Sequence, residues 1–346
     1  MSVDLAVRRR IEDALHFRVP DRTPIWEMLE NQAVYAHFAP GVPFPRCAAI
    51  ACRELGIDAT YGCYPAVTDE SASEGCVRAA QTVWVTKPYF ASLEDLRSYN
   101  PPPIQEREYE ERMLREHAET QELYGSRTMF LPQNGGWGFL PAYDAQTFSV
   151  IAEALVEDTP ALERYWDISV ERAVITNSIT ARHHLSPVIQ CCEDVAYKTG
   201  LMVSPSLLRD HFFPRFAKVI APLKAAGIKA IWHSDGNIMP LLDDAVASGF
   251  DGINPIDPSA GSDLGAIRRQ YPRLILVGNV GVDHVLRFGT PEAVRRDVRR
   301  CLEEAGPTGH LLQCGDGQVM PDCPLENVLA YFDEAHAPRP GGGESL

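Results

Sequence analysis

The feature that most constrains the fold is a regular alternation of short apolar runs with helical segments along most of the 346 residues. Eight apolar runs have the length of a strand, at 23–28, 58–61, 128–132, 186–190, 229–233, 252–255, 274–277 and 310–312. Strands separated by helices pair in parallel, because a parallel strand needs a crossover and is covered on both faces. Eight such units predict an α/β fold of the (β/α)8 TIM-barrel type.

The segments between the apolar runs carry the start and stop signals of helices. Thr290 is a favourable N-cap, Pro291 suits the first helical position, and Gly306 supplies the stop. Pro205 opens another helix in the same manner, and Pro214 is expected to interrupt it. These signals support helical crossovers between the strands.

One long segment, from 64 to 128, fits this alternation badly, since it contains three prolines at 101–103 and a charged helix near 106–122. We expect it to be an insertion near the mouth of the barrel. The sequence predicts one barrel domain over 3–336 and a flexible tail over 337–346, which is rich in glycine and proline.

Composition excludes several classes of partner. Lys and Arg number 32 and Asp and Glu number 47, and the resulting charge of −15 disfavours nucleic acid and anionic membrane surfaces as partners. No apolar run approaches the ~18 residues of a membrane-spanning helix, and no secretory signal is visible, so we expect a cytoplasmic protein. The nine cysteines show no CxxC pair or zinc-finger spacing and are expected to be reduced thiols. These features favour a protein that acts on a small molecule.

Polar side chains follow seven of the predicted strands at the point where each strand ends. A parallel barrel builds its active site at the carboxyl ends of its strands. Because burying carboxylates without partners is costly, we expect these side chains to share one mouth. They are Glu27, Asn134, Glu193, Asp194, His233, Asp235, Asn254, Asp257, Asn279, Cys314 and Asp316.

The most specific element is the pair His233 and Asp235. Residues i and i+2 of an extended segment point the same way, so both side chains face one side of the strand. They are candidate ligands of a divalent metal, with a third ligand from Glu27, Cys314 or Asp316. Alternatively, Asp235 orients His233 as a general acid or base, or both bind substrate. An ordinary histidine that bonds a loop carbonyl also fits this pattern.

A second group lies in the segment 192–200, which contains Glu193, Asp194, Tyr197 and Lys198. These side chains favour a substrate-binding loop, because they cannot all be buried without partners. A surface loop with an internal Asp/Lys pair is the alternative, since such exposed pairs are common. Cys314 is either a ligand, a nucleophile or a packing residue.

Several segments resemble the uroporphyrinogen decarboxylase superfamily, in the order in which that family carries them. They are Arg-Val-Pro-Asp-Arg-Thr-Pro-Ile-Trp at 18–26, Gly-Ile-Asp at 56–58, and the segments 194–205, 233–255, 260–264, 278–280, 289–292 and 324–327. The resemblance covers most of the chain and implies a (β/α)8 barrel. It also implies one of two activities. Members are cofactor-free porphyrinogen decarboxylases or methyltransferases that move methyl groups between corrinoid proteins and small acceptors, often with zinc.

The chain departs from both patterns. Where the decarboxylases carry an arginine-rich segment that holds propionates, this sequence has Glu27 and Glu30, which would repel a polycarboxylate. The zinc methyltransferases resemble the chain at His233 but carry a cysteine where Asp235 stands, and Cys314 is a possible match to their second cysteine. The resemblance therefore implies a harder, more oxygen-rich metal site than theirs.

The leading hypothesis is methyl transfer, by a demethylase or a corrinoid-linked methyltransferase. His233 and Asp235 then bind a metal such as zinc or polarise the acceptor, with Glu27 and Cys314 as possible further ligands, and a partner protein supplies the corrinoid. Catalysis is assigned to His233, Asp235, Asp194, Tyr197 and Lys198. Substrate binding is assigned to Glu27, Glu30, Asn134, Glu193, Asn254 and Asn279.

Two other hypotheses stay open. In a cofactor-independent decarboxylase of a porphyrinogen, pyrrole or other small carboxylate, Asp194 or Asp235 stabilises a developing cation, and Lys198 or His233 protonates the carbanion. In the third, the chain is a non-catalytic subunit that docks a corrinoid protein.

Overall fold

The computed structural model describes residues 2–65, 76–79, 82–85, 87–132, 137–140, 145–315 and 317–337. None of the described helices is both long and apolar enough to cross a membrane. The α-helices are α1 (Leu5–Leu15), α2 (Gln32–Phe38), α3 (Arg46–Glu54), α4 (Leu93–Ser98), α5 (Glu106–Tyr124), α6 (Ala145–Glu157), α7 (Thr159–Arg182), α8 (Pro205–Leu207), α9 (Phe213–Ala225), α10 (Leu242–Ala247), α11 (Leu264–Gln270), α12 (Pro291–Ala305) and α13 (Leu325–Ala335).

The strands are short and mostly parallel. They are β1 (Ala59–Thr60), β2 (Cys76–Ala79), β3 (Thr82–Val85), β4 (Met129–Phe130), β5 (Val188–Cys192), β6 (Ala196–Tyr197), β7 (Gly200–Leu201), β8 (Lys229–His233), β9 (Gly252–Ile256), β10 (Ile275–Gly278) and β11 (His310–Leu311). A parallel sheet has the order β11-β10-β9-β8-β5, and β1 pairs with β4 in parallel. Single parallel bridges from Ile25 to Leu312 and from Trp26 to Ala59 join these two groups.

All eight predicted apolar runs therefore lie in one series of parallel segments. The series begins at β5 and ends at β4, and its first predicted strand is reduced to the bridges of Ile25 and Trp26. No ladder between β4 and β5 occurs among the described residues. The hydrogen bonds thus show an α/β fold with a parallel sheet.

The side chains inside this series form one buried cluster. Its strand members are Trp26, Ala59, Met129, Leu131, Val188, Ile231, Ile275, Val277 and Leu311. β9 contributes Gly252, where a Cβ would lie 2.7 Å from side-chain atoms of Ile231 and Ile275. The apolar face of α1 closes one end of the cluster, where the N–H of Asp4 donates to the carbonyl of Ser126, shortly before β4. With the amino ends covered, the carboxyl ends remain for a site.

A buried ion network explains the segments 18–26 and 56–58. The side chain of Asp58 is 1% exposed and lies 2.5 Å from Nη1 of Arg10 and 2.6 Å from Nη1 of Arg22. It also accepts the backbone N–H of Ile25 at 2.8 Å. The network lies at the amino end of β1, the end opposite to the carboxyl ends of the parallel strands.

The segment 64–128 contains both an irregular part and a regular crossover. β2 and β3 form an antiparallel hairpin, and α4 follows them. α5, however, packs against α3 and β4, and the side chain of Gln121 bonds the carbonyl of Thr128 and the N–H of Phe130. The charged helix that we included in the insertion is therefore the crossover helix between β1 and β4.

The predicted helix signals have two outcomes. Thr290 caps α12 by accepting the N–H of Ala293, which confirms that start. Near Pro214 the chain widens into a π-helical segment, Leu208–Phe212, and continues directly into α9. Proline lacks an N–H and crowds the preceding turn, and a wider turn accommodates it without a break.

Candidate functional site

Three side chains converge where β5 and β8 end. Cys192 is in register with His233, so Asp194 and Asp235 extend two neighbouring strand ends. Nε2 of His233 lies 3.8 Å from Oδ1 of Asp194 and 3.8 Å from Oδ1 of Asp235. One potential ligand atom from each residue lies within 4.8 Å of the others. We refer to Asp194, His233 and Asp235 as the triad.

The backbone holds the two carboxylates of the triad together. The N–H of Asp235 donates to Oδ1 of Asp194 at 2.7 Å. The chain then turns at Gly236, whose φ is +84° and where a Cβ would lie 2.6 Å from the carbonyl oxygen of Ala196. Glycine is required at this position because both the conformation and the close approach exclude a side chain.

A chain of hydrogen bonds determines which nitrogen of His233 faces the carboxylates. The carbonyl of Gly317 accepts from Nε2 of Gln313 at 3.0 Å, so Oε1 of Gln313 is left to accept from Nδ2 of Asn254. Oδ1 of Asn254 then faces Nδ1 of His233 at 2.7 Å. Since a carbonyl oxygen only accepts, Nδ1 carries the proton in neutral His233, and Nε2 presents a lone pair to the triad.

The triad is charged, partly buried and reachable from outside. The side chains of His233 and Asp194 are 14% and 10% exposed, whereas that of Asp235 is 57% exposed. Loss of hydration, together with the carboxylates of Asp194 and Asp257, raises the pKa of Asp235 to about 6 against the opposing effect of His233. A cation between the carboxylates would relieve this repulsion.

The donor set of the triad fits a divalent metal ion. One imidazole nitrogen and two carboxylate oxygens are ligands of zinc and of harder ions such as manganese. The fixed tautomer places an unprotonated nitrogen on the correct side, and such outer hydrogen bonds are common around metal-binding histidines. The sequence assigned His233 and Asp235 to a metal but gave Asp194 a catalytic role.

Glu193 and Cys192 lie beside the triad. Glu193 is buried, at 5% exposure, and accepts the N–H of Gly138 at 2.6 Å. Burial raises the pKa of Glu193 to about 8, although backbone N–H groups favour the carboxylate. Burial also raises the pKa of the Cys192 thiol to about 12. Burial therefore favours the protonated form of Glu193, which is able to donate a proton.

Glu27 and Cys314, the further ligands expected from the sequence, form a separate buried cluster. Glu27 is inaccessible to solvent and accepts the N–H and the thiol of Cys314 at 3.0 and 3.3 Å, and the hydroxyl of Tyr331 at 2.9 Å. Burial raises the pKa of Glu27 to about 7. The triad is complete without these residues.

Other predicted site residues have partners of their own. Lys198 donates to Asp283 at 2.6 Å, and Tyr197 is 60% exposed on β6. Glu30 is 9% exposed and accepts from Gln318 at 3.0 Å.

Two predicted positions deeper in the fold contribute hydrogen bonds. Asn279 is buried, donates to the carbonyl of Ile256 and accepts from Arg300. Asn254, which we assigned to substrate binding, orients His233. Asn134 and Asp316 lie outside the described residues.

A cavity of about 470 Å³ lies next to the triad. Cys192, Glu193 and Asp194 line it on the side of the triad, and the rest of the lining combines aromatic side chains and Arg172 with smaller apolar and hydroxyl residues. A cavity of this volume suits a small molecule. We call it the tyrosine cavity, because it is lined by Tyr89, Tyr99, Tyr109 and Tyr165.

Sequence reasoning missed Gln313 and Tyr331. Gln313 directly precedes Cys314 at the end of the eighth strand, and its position there was the one signal available. Tyr331 belongs to α13, which shows only the apolar pattern of a core helix. Neither role is visible without the tertiary contacts.

Three similarities to known proteins bear on this site. Residues 145–338, which include the triad, match the family model of uroporphyrinogen decarboxylase (URO-D). A uroporphyrinogen decarboxylase of Ralstonia pickettii is 28% identical over 144 residues, which are 38% of this chain and 37% of that protein. The structure of a methyltransferase from Methanosarcina mazei aligns over 96% of this chain and 98% of its own, with 21% identity and a TM-score of 0.70. At that identity the likeness concerns the fold.

Proposed function

The chain belongs to the uroporphyrinogen decarboxylase family, and from this premise we propose that it is a methyltransferase that acts on a small substrate. The observation that carries the proposal is the triad next to a cavity of small-molecule size. The methyl group passes between an oxygen or nitrogen of the substrate and a reduced corrinoid held by a partner protein.

Asp194, His233 and Asp235 hold a divalent metal ion in this proposal. When bound, the ion supplies Lewis-acid chemistry, which polarises an oxygen or nitrogen of the substrate. Nε2 of His233 and one oxygen from each carboxylate are the donors. Asn254 and Gln313 keep Nε2 directed at the site.

The chain also supplies the proton that the reaction requires. When a methyl group leaves an ether oxygen or an amine nitrogen, that atom keeps the bonding electron pair and takes up one proton. Glu193 lines the tyrosine cavity, and burial raises its pKa to about 8, which favours the protonated form. Glu193 is therefore the proposed general acid.

The partner reaches the site from outside. The side chain of Asp235 is more than half exposed, so a large planar ring can approach it. The tyrosine cavity, at about 470 Å³, has the volume of a small substrate. In this proposal the substrate meets the triad at Asp194, which lines the cavity, and the corrinoid meets it at the exposed Asp235.

We also propose that the parallel series closes into a (β/α)8 barrel and that 3–336 form one domain. Met129 and Val188 come from the two end segments of the series, yet they pack in the same interior cluster. Of the expected tail at 337–346, only Ala337 lies within the described residues.

Decarboxylation is the second candidate. Its supporting observation is the same buried Glu193, which could protonate a carbanion after carbon dioxide leaves. The described lining of the tyrosine cavity contains one arginine, Arg172. A single arginine argues against a substrate that carries several carboxylates.

The decisive experiment separates the two reactions by their requirements. Purified protein is supplied with zinc or manganese, free reduced cobalamin and a panel of methyl ethers and methylamines, and the cobalamin spectrum is followed. Loss of methyl transfer in His233→Ala supports the proposal. The control is His37→Ala, which should keep the activity because the side chain of His37 is exposed on α2. Carbon dioxide release by chelator-treated protein from a small carboxylic acid, without methyl transfer, overturns it in favour of the decarboxylase.

A further inference from the structure

We propose that the tyrosine cavity is a binding pocket for an aromatic carboxylic acid. The ring lies among the tyrosines, the carboxylate pairs with Arg172, and the reacting substituent faces Asp194. The binding claim follows from the cavity alone. The orientation of the reacting substituent rests on the proposed function.

The walls of the cavity favour a flat ring. Tyr99 and Tyr165 have ring centroids 5.0 Å apart with an interplanar angle of 77°, and Tyr89 lies 6.4 Å from Tyr165. Edge-to-face contacts of this kind stabilise pairs of aromatic rings beyond the burial of their surface. A further aromatic ring gains from the same contacts, whereas a saturated ring gains only from burial.

Arg172 gives the cavity a positive group. Its Nη1 donates to the carbonyl of Pro102 at 2.8 Å. No ion pair of Arg172 with a carboxylate is present among the described residues, although most of the arginines there have one. The remaining N–H groups form the planar fork that binds carboxylates in a bidentate manner.

The indole of Trp137 contributes a further aromatic wall. Trp137 is 2% exposed and lines the cavity. Its Nε1 is buried, so the indole offers a ligand its ring surface rather than a hydrogen bond.

The two ends of the cavity differ in charge, and this difference orients the ligand. Asp194 at the inner side repels a carboxylate, and Arg172 attracts one. The ligand class is therefore an aromatic acid whose carboxylate lies at Arg172 and whose opposite end lies toward Asp194.

Calorimetric titration of the full chain with 4-methoxybenzoate tests the proposal, with benzoate, anisole and cyclohexanecarboxylate as comparison probes. We expect 4-methoxybenzoate to bind more tightly than anisole, which lacks the charge, and than cyclohexanecarboxylate, which lacks the aromatic ring. Arg172→Gln should weaken binding about 10- to 100-fold. Arg107→Gln is the control, because that arginine is 91% exposed on α5.

The outcomes separate this inference from the proposed function. The titrations use chelator-treated protein without corrinoid, so they do not depend on a metal or on turnover. Failure of the wild type to bind either aromatic acid overturns the inference, even where methyl transfer from other compounds succeeds. Equal binding by the wild type and Arg172→Gln also overturns it. Binding that depends on Arg172, without methyl transfer, leaves the pocket in place and contradicts the proposed reaction.

Discussion

Nδ1 of His233 lies 2.7 Å from Oδ1 of Asn254, and this contact determines that Nε2 is the nitrogen presented to Asp194 and Asp235. The direction of the contact is set by Gln313, whose own amide is oriented by the carbonyl of Gly317. A backbone carbonyl two hydrogen bonds beyond Asn254 thus controls the histidine tautomer.

The first prediction concerns this chain of hydrogen bonds. Gln313→Met keeps the side-chain length but removes both hydrogen-bonding groups, so the amide of Asn254 loses its orientation. We expect affinity for zinc or manganese to fall about 10- to 100-fold, as calorimetry would measure. Gln318→Met, which removes a bond to Glu30, is the control.

Two substitutions of Asn254 distinguish its role in orienting His233 from a general contribution to the stability of the fold. Asn254→Asp still accepts from Nδ1 of His233, whereas Asn254→Leu cannot. We therefore expect the Asp variant to retain most of the metal affinity and the Leu variant to lose it. Equal losses in the two variants would contradict the role assigned to Asn254.

The second prediction concerns the ligand set. Chelator-treated protein should bind one divalent ion when titrated with zinc, cobalt, manganese and magnesium. Occupancy should fall in Asp194→Ala, His233→Ala and Asp235→Ala. Glu27→Gln and Cys314→Ser should retain binding, because these residues bond each other in a separate cluster. Loss of metal binding in the last two variants, with unchanged thermal stability, would indicate that Glu27 and Cys314 are metal ligands.

The third prediction concerns the pH dependence of stability. The pKa of Glu27 is about 7 in the folded chain, against an ordinary 4.5, so folding favours its protonated form. This contribution is fully present below pH 4.5 and is lost as the pH rises through 7. Relative to Glu27→Gln, the free energy of unfolding of the wild type should fall by about 3 kcal/mol between these pH values.

Urea unfolding of both proteins across this pH range provides the measurement. Glu326→Gln serves as the control, because Glu326 is exposed at the start of α13. The informative quantity is the change of the free energy of unfolding with pH. Its absolute value is not informative, because Gln at position 27 changes the local hydrogen bonds. Parallel curves for wild type and Glu27→Gln would show that Glu27 does not titrate in this way.

The fourth prediction concerns the amino end of the fold. Asp58→Asn leaves Arg10 and Arg22 without their buried partner, and we expect a loss of about 3 kcal/mol in the free energy of unfolding. Asp167→Asn, which removes a pair with a 59% exposed carboxylate, should cost less than about 1 kcal/mol. Metal affinity should be unchanged in both. If Asp58→Asn lost metal affinity while its free energy of unfolding stayed unchanged, the assignment of a purely structural role to this ion network would be contradicted.

Much of the fold was predictable because its signals are local. Apolar runs bounded by turn residues marked every segment of the parallel series, and Thr290 marked the start of α12. The assignment of α5 to the insertion was wrong for the same reason, since its charged sequence does not record that it packs on α3 and β4.

The sequence by itself determined that polar residues follow the strands, and this placed Asp194, His233 and Asp235 among the candidates for one site. Tertiary structure alone decided which of them meet. Register puts Asp194 beside His233, whereas Glu27 turns to Cys314 and Tyr331. The roles of Gln313 and Tyr331 arise in the same way. The physical reason is that strand formation depends on neighbours in the chain, while the hydrogen bonds of a buried polar group depend on residues that only folding brings within 3 Å.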